Sequence, residues 1–342
     1  MTLKTHLRTI KHNGEKYLFT PAMAFSLVMV SANAVAAVPN LLKGGTAKVA
    51  VAGESPSSIK SGAGDQFAMS QASIILPLED NTQKYERFRS SFHANITEFD
   101  WRGAEAASGD YLWLSMPMYY QQDRSSRAQF IIQAEPGLMT DGTEIGLDSL
   151  GINGSVLGRM LWANGGYWQY GLMIDRAFGD YDVRPVLGMA FPADDKTWVE
   201  LGFPKIRVTH NFSADLITYL NIKPAGGVWK ETVDVKAAAG DDAAADGDAG
   251  GDAGGDAGAD ADAGTDADTA TTATGPKDMH LRYRSWQFGI GANFHWRDSL
   301  WLTAEIGQLR NRRITAGDSS GEKIKATPSE NAYWRIGASL KF

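Results

Sequence analysis

The chain has 342 residues, 33 basic against 40 acidic, and no cysteine, which excludes a disulfide framework and any thiolate metal site. The acidity is local. Setting aside residues 1–36, with four basic residues and one acid, and residues 240–275, with ten Asp, leaves 29 residues of each sign. The overall charge is therefore no argument for a basic or nucleic-acid partner, and none is expected.

Met1–Lys16 carries Lys4, Arg8, Lys11 and Lys16 against Glu15, and an apolar run, Leu18–Val30, follows it. The small residues Ser31–Ala37 come next. This order predicts a secretory signal peptide over 1–36, cleaved near Ala34-Val35-Ala36. The run is shorter than the ~18–20 apolar residues of a spanning helix. Residues 37–64 are expected to form an N-terminal periplasmic segment or plug.

From residue 65 onward the dominant signal is alternation with period two. No later stretch is apolar for long enough to cross a membrane as a helix. A membrane protein without spanning helices has to be a closed barrel, because hydrocarbon cannot satisfy unpaired backbone groups. The prediction is an all-β, transmembrane, antiparallel up-and-down barrel of about twelve strands over 65–342. The expected strands are 66–78, 85–98, 110–121, 127–135, 152–162, 167–178, 182–191, 198–211, 214–236, 279–296, 299–314 and 331–342.

Within Ser285–Trp296 one parity reads Trp286, Phe288, Ile290, Ala292, Phe294, Trp296, and the other reads Ser285, Gln287, Gly289, Gly291, Asn293, His295. At ~3.3 Å per residue and a tilt of ~40°, Trp286 and Trp296 stand about 25 Å apart along the membrane normal. That matches an apolar band with an aromatic girdle at each interface.

The short connections 178–182, 212–215 and 296–299 are expected at the periplasmic end. Residues 194–196, the acidic insertion and 316–328 are expected at the other end. Pro224–Gly227 reads as a bend inside one long strand rather than a hairpin turn, which keeps both termini periplasmic. Residues 237–277, nearly all Gly, Ala, Asp and Thr through 240–275, hold too little apolar surface to order themselves and are expected to form a disordered surface loop. Their spaced Asp residues invite a calcium reading, but a calcium loop's ligand pattern and closing Glu are absent.

The last strand, Asn331–Phe342, places Trp334, Ile336, Ala338, Leu340 and Phe342 on one parity and ends in an aromatic. It resembles the C-terminal assembly signal of Gram-negative outer-membrane barrels, carried here by Trp334, Ile336, Leu340 and Phe342. The resemblance implies integral placement in the cell outer membrane after export. It also implies outer-membrane lipid and the barrel-assembly machinery as partners, the latter through pairing at an open sheet edge. Residues 65–342 also resemble an uncharacterised group of outer-membrane barrels, on Leu201-Gly-Phe-Pro-Lys-Ile-Arg-Val208 and the final three strands.

Chemistry is sparse. His93, His210 and His295 fall in expected strands, but no Gly-x-Ser-x-Gly and no His-Glu-x-x-His is present, so neither an enzyme nor a cofactor is expected. If the apolar parity faces lipid, the inward residues include Arg87, Arg89, His93, Arg159, Arg184, Lys205, Arg207, Arg335 and Lys341. The inward acids are Glu135, Asp175, Glu200 and Glu305. Such a lumen predicts a narrow, porin-like passive channel for small solutes that favours anions. The competing readings are a non-conducting structural or surface-interaction barrel and, behind it, an outer-membrane enzyme.

Overall fold

A computed structural model describes residues 45–60, 65–102, 109–142, 145–234, 276–318 and 321–341. The expected signal peptide, nearly all of the acidic insertion and Phe342 lie outside these residues. In chain order the strands begin with β1 (Thr46–Glu54), β2 (Ser57–Ser58), β3 (Gln66–Thr82), β4 (Glu86–Arg102), β5 (Gly109–Ser115) and β6 (Met118–Ser125). Next come β7 (Ala128–Thr140), β8 (Leu150–Leu161), β9 (Tyr167–Ile174), β10 (Val183–Pro192), β11 (Thr197–Phe203) and β12 (Ile206–Asn211). The last are β13 (Leu216–Pro224), β14 (Gly227–Asp234), β15 (Pro276–Arg297), β16 (Leu300–Asp318), β17 (Gly321–Ala326) and β18 (Asn331–Lys341). Two single 3-10 turns, η1 (Leu147–Ser149) and η2 (Arg176–Phe178), sit in connections.

Every pairing is antiparallel, and the sheet closes on itself because β1 pairs with β18 on one side and β3 on the other. The ring has 14 strands, with 4 elements outside the count. β5 and β6 share the neighbours β4 and β7 and are two halves of one wall strand, broken at Met116-Pro117. β13 and β14 likewise run against β15 in one unbroken register, from Leu216↔Phe294 to Pro224↔Trp286 and from Gly227↔Tyr283 to Asp234↔Pro276. Pro224–Gly227 is thus a bend.

Two features raise the expected twelve strands to 14. Thr46–Glu54, expected in a separate segment or plug, is a wall strand with Ala47, Val49 and Val51 on its outer face. The expected strand 198–211 is two strands, β11 and β12, joined by a two-residue turn at Pro204-Lys205. Its apolar parity changes there, from Val199, Leu201 and Phe203 to Ile206 and Val208.

That unexpected turn inverts the sides of everything just before it. Connections 83–85, 126–127, 162–166, 193–196, 212–215 and 298–299 lie at the end where Thr46 pairs with Lys341. Residues 178–182, expected among the short periplasmic turns, lie at the opposite end, within the connection 175–182. Residues 194–196 lie with the termini. All turns at the terminal end are short, as at the periplasmic end of outer-membrane barrels.

The outer face is a belt of exposed large apolar residues: Ile152, Val156, Leu172, Leu187, Leu220, Ile290 and Ile306 are among those 49–64% exposed. Water would penalise such a surface, whereas hydrocarbon stabilises it. The molecule is a closed antiparallel β-barrel with an apolar outer face. Along β16 the inner face changes parity at a bulge. Arg284 pairs with Arg313 but Trp286 pairs with Arg310, so β16 carries one extra residue, absorbed at Asn311 with φ 51°. Below the bulge Glu305 and Leu309 are buried; above it Arg312, Ile314 and Ala316 are.

Candidate functional site

The interior has two zones. At the end carrying the longer connections, facing walls meet in an aromatic core. Phe67, Phe99 and Tyr111, from β3, β4 and β5, pack against Trp229 and Tyr283, from β14 and β15. Ring centroids lie 5.2 Å apart for Phe99–Trp229, 5.7 Å for Tyr111–Trp229 and 6.0 Å for Phe67–Tyr283. Ile59, Leu281, Ile314, Ala316 and Ala326 complete the core.

The bend at Pro224–Gly227 makes this possible, because it carries β14 inward against β5 and β7. A Cβ on Gly226 would stand 2.2 Å from the carbonyl oxygen of Tyr283, so only glycine fits that approach. Two arginines fasten the core. Arg312 pairs with Glu54 and donates to Tyr283 Oη at 3.1 Å, Ser57 Oγ at 2.8 Å and the Ser329 carbonyl at 2.9 Å. Arg176, on η2, lies between the rings of Trp113 (4.4 Å) and Trp229 (4.9 Å) and donates to the Val228 carbonyl at 3.0 Å. Burial pulls the Arg176 guanidinium down to about 10, so it stays charged at neutral pH. Lys230 on β14 meets Asp148 on η1 at 2.8 Å.

Below the core the inner face carries two polar groups and, against β7, β8 and β10, a buried apolar patch of Ile131, Leu157 and Val186 with Tyr119 and Met173 packed on it. On one wall Glu135 Oε1 is met by His93 Nδ1 (3.2 Å), Trp113 Nε1 (3.1 Å) and Ser115 Oγ (2.6 Å), and Oε2 by Asn153 Nδ2 (3.0 Å). A cavity of about 480 Å³ opens beside it, lined by Arg89, Tyr119, Gln133, Glu135, Ser155 and Asp175 among others. On the other wall Glu305 is surrounded by Tyr219, Asn221, Gln287 and Tyr333.

The remaining residues singled out in the sequence are spread around the ring. Arg89 pairs with Asp80 at 3.1 Å, and Arg87 Nε donates to Thr82 Oγ1 at 3.2 Å. Arg159 donates to Gln169 at 2.8 Å, and Arg184 pairs with Asp180 at 2.6 Å. Lys205 stands in the Pro204-Lys205 turn and holds Glu200 at 3.0 Å. Asp175 caps η2, accepting from the Ala177 amide at 2.8 Å, and so leaves the strand expected for it. Arg335 pairs across the ladder with Glu305, and Lys341 lies exposed opposite Thr46. Trp286 touches Phe178 and Phe203, while Trp296 stands 58% exposed. Trp334, Ile336 and Leu340 pack with Val49, Val51 and Ala47 of β1.

Sequence reasoning missed Lys48, Arg176, Lys223 and Arg312. Lys48 lay in a stretch taken as periplasmic, Arg176 in the expected strand 167–178 on the parity opposite Asp175, and Lys223 beside the bend. The facing of Arg312 is set by the bulge at Asn311, for which a lone Asn is a faint signal. Among the described residues no group of His, Asp or Glu is placed to hold a metal ion.

No protein-family model matches the chain, and no curated protein matches it. Similar solved structures include an outer membrane channel from Pseudomonas putida F1, at 8% identity and a TM-score of 0.43, covering 89% of this chain and 98% of that one. The translocator domain of the autotransporter NalP from Neisseria meningitidis has 13% identity, a TM-score of 0.33, and coverage of 96% and 100%. OccK5 from Pseudomonas aeruginosa has 6% identity, a TM-score of 0.29, and coverage of 88% and 99%. Likenesses this loose carry nothing about the solute or mechanism of this chain.

Proposed function

We propose that this barrel is a passive outer-membrane channel for small solutes, favouring anions, with its outer mouth closed in this conformation by the aromatic core. The observation that carries the reading is the contrast between the two faces of one closed wall. The outside is apolar, while the inside below the core bears a cavity and arginine- and lysine-containing polar groups beside one apolar patch, Ile131, Leu157 and Val186. A fixed positive field raises the local anion concentration and opposes cations. The Thr46–Lys341 end with its short turns faces the periplasm, and the last wall strand β18, which Phe342 follows in sequence, is what the assembly machinery would engage before the barrel closes.

The test is single-channel recording from the refolded full chain, with reversal potentials in a salt gradient. The expected result is a small conductance with anion preference. Changing Arg87, Arg89 and Arg207 together to Glu should shift the preference toward cations, less so at 1 M salt, where the Debye length is ~3 Å. A second reading, a non-conducting structural barrel, is favoured by one observation: the aromatic core joins facing walls. A silent recording from protein shown independently to be folded would select it.

A further inference from the structure

The cavity beside Glu135 is built from two consecutive inward rungs of the wall. Arg89, Tyr119, Gln133, Ser155 and Met173 are ladder partners in turn, across β4, β6, β7, β8 and β9, and form the first rung. Glu135 pairs with Asn153 on the second, and Asp175 directly follows Ile174, the partner of Gly154. All of them line one space of about 480 Å³, a size typical of small-molecule sites.

Charge in this cavity is sorted by end. Arg89 holds Asp80 through Nε at 3.1 Å, in a pair whose side chains are 48% and 24% exposed. An exposed pair of this kind is worth little. The two terminal amino groups of the guanidinium have no partner among the described residues. At the far end Asp175 Oδ1 accepts from the Ala177 amide at 2.8 Å, and among the described residues Oδ2 has no partner. The adjacent Arg176 guanidinium does not serve it, being held between Trp113 and Trp229. Glu135 adds a second carboxylate there. His93 reaches only its Oε1, at 3.2 Å, and Oε2 accepts from Asn153 alone, at 3.0 Å.

The middle of the cavity is uncharged. Ser155 donates to Gln133 Oε1 at 2.9 Å, which leaves the Gln133 amide nitrogen open, and Tyr119 and Met173 rest on the apolar patch of Ile131, Leu157 and Val186. A solute that fills this space therefore has an anion at the Arg89 end and a cation at the Asp175 end. Strands stand ~4.8 Å apart, so the four steps from Arg89 to Met173 cover about 19 Å of wall. With a side chain reaching in from each end, the gap is roughly 10 Å, the length of about three extended residues. A charged end without its counter-charge, or a cavity charge without its ligand, is penalised in such a space, so the two ends select together.

We propose that this cavity binds a short zwitterionic peptide, its carboxylate at Arg89 and its ammonium at Asp175 and Glu135. The site rests on the reading of the interior as a path for small solutes. A solute of no net charge is not opposed by the positive field assigned to the lumen.

The test is calorimetric titration of the refolded full chain in nonionic detergent with trialanine, its N-acetyl form, its C-terminal amide and free alanine. Trialanine should bind saturably, and each of the other three roughly tenfold more weakly or worse, having lost one end or the span. Asp175→Asn keeps the oxygen that caps η2; it should weaken trialanine about tenfold and leave the N-acetyl form unchanged. Arg89→Gln should weaken trialanine likewise and leave the amide unchanged. Folding of each variant is checked by heat-modifiable mobility, and the comparison of the four ligands on the wild type stands whether or not a variant folds. No saturable binding of trialanine to folded protein would overturn the site. So would alanine binding as well as trialanine, or a variant that weakens every ligand equally. Binding by a barrel that never conducts would keep the site and reject the channel. Conductance without binding would do the reverse.

Discussion

Arg312 and Glu54 form an ion pair whose side chains are 0% and 1% exposed, and Arg312 reaches it only because the facing of β16 reverses at Asn311. The pair ties the closing strand β1 to the aromatic core. Replacing one partner leaves the other charge buried and unpaired, at about 3–5 kcal/mol. Arg312→Met should therefore lower the urea midpoint of the folded band far more than Arg312→Met combined with Glu54→Leu. Equal losses would show that the pair contributes nothing beyond packing.

The aromatic core should act on conductance as well as stability. Truncating facing rings, Phe99→Ala with Trp229→Ala, removes the closest contact across the interior. Single-channel recordings should then show larger or more frequent openings than the wild type. A folded double variant as silent as a silent wild type would count against passage through this mouth.

Ile290, 53% exposed on the outer face of β15, should not tolerate a charge. Ile290→Arg is expected to cost about 2–4 kcal/mol near the midplane, whereas Ile290→Leu should be neutral. From sequence alone the neighbouring inward residue, Gln287, would be the tolerant control. In the structure Gln287 is buried and donates to Glu305 at 2.8 Å, so Gln287→Arg should lose folded yield too. Full tolerance at both positions would contradict the assignment of the two faces.

The acidic insertion is expected on the outside of the cell. An epitope placed at Ala257 should bind antibody on intact cells. Labelling only after permeabilisation would invert the barrel in the membrane.

Period-two alternation made most of the wall legible. Trp286 to Trp296 and Trp334 to Leu340 stand out because large apolar residues alternate with small or polar ones. Thr46–Glu54 was hidden because Ala47, Val49 and Val51 are small and the strand precedes a short irregular stretch. Pro204 concealed a turn inside what looked like one strand, although the switch from Phe203 to Ile206 marks it. The bend at Pro224–Gly227 was readable. The inward path of β14 was not, because only contacts with distant strands decide whether Trp229 meets lipid or Phe99.

Asp234 and Pro276 are direct ladder partners, so the chain leaves and re-enters the barrel at adjacent points. Whatever lies between them is spliced into a rigid hairpin whose ends are already held together. Doubling or halving such a segment changes closure entropy by only about 0.6 kcal/mol. Residues 235–275 can thus vary in length and composition at little cost to the wall. The junction is a natural grafting point, where an added peptide or small domain could be displayed without retuning the barrel that carries it.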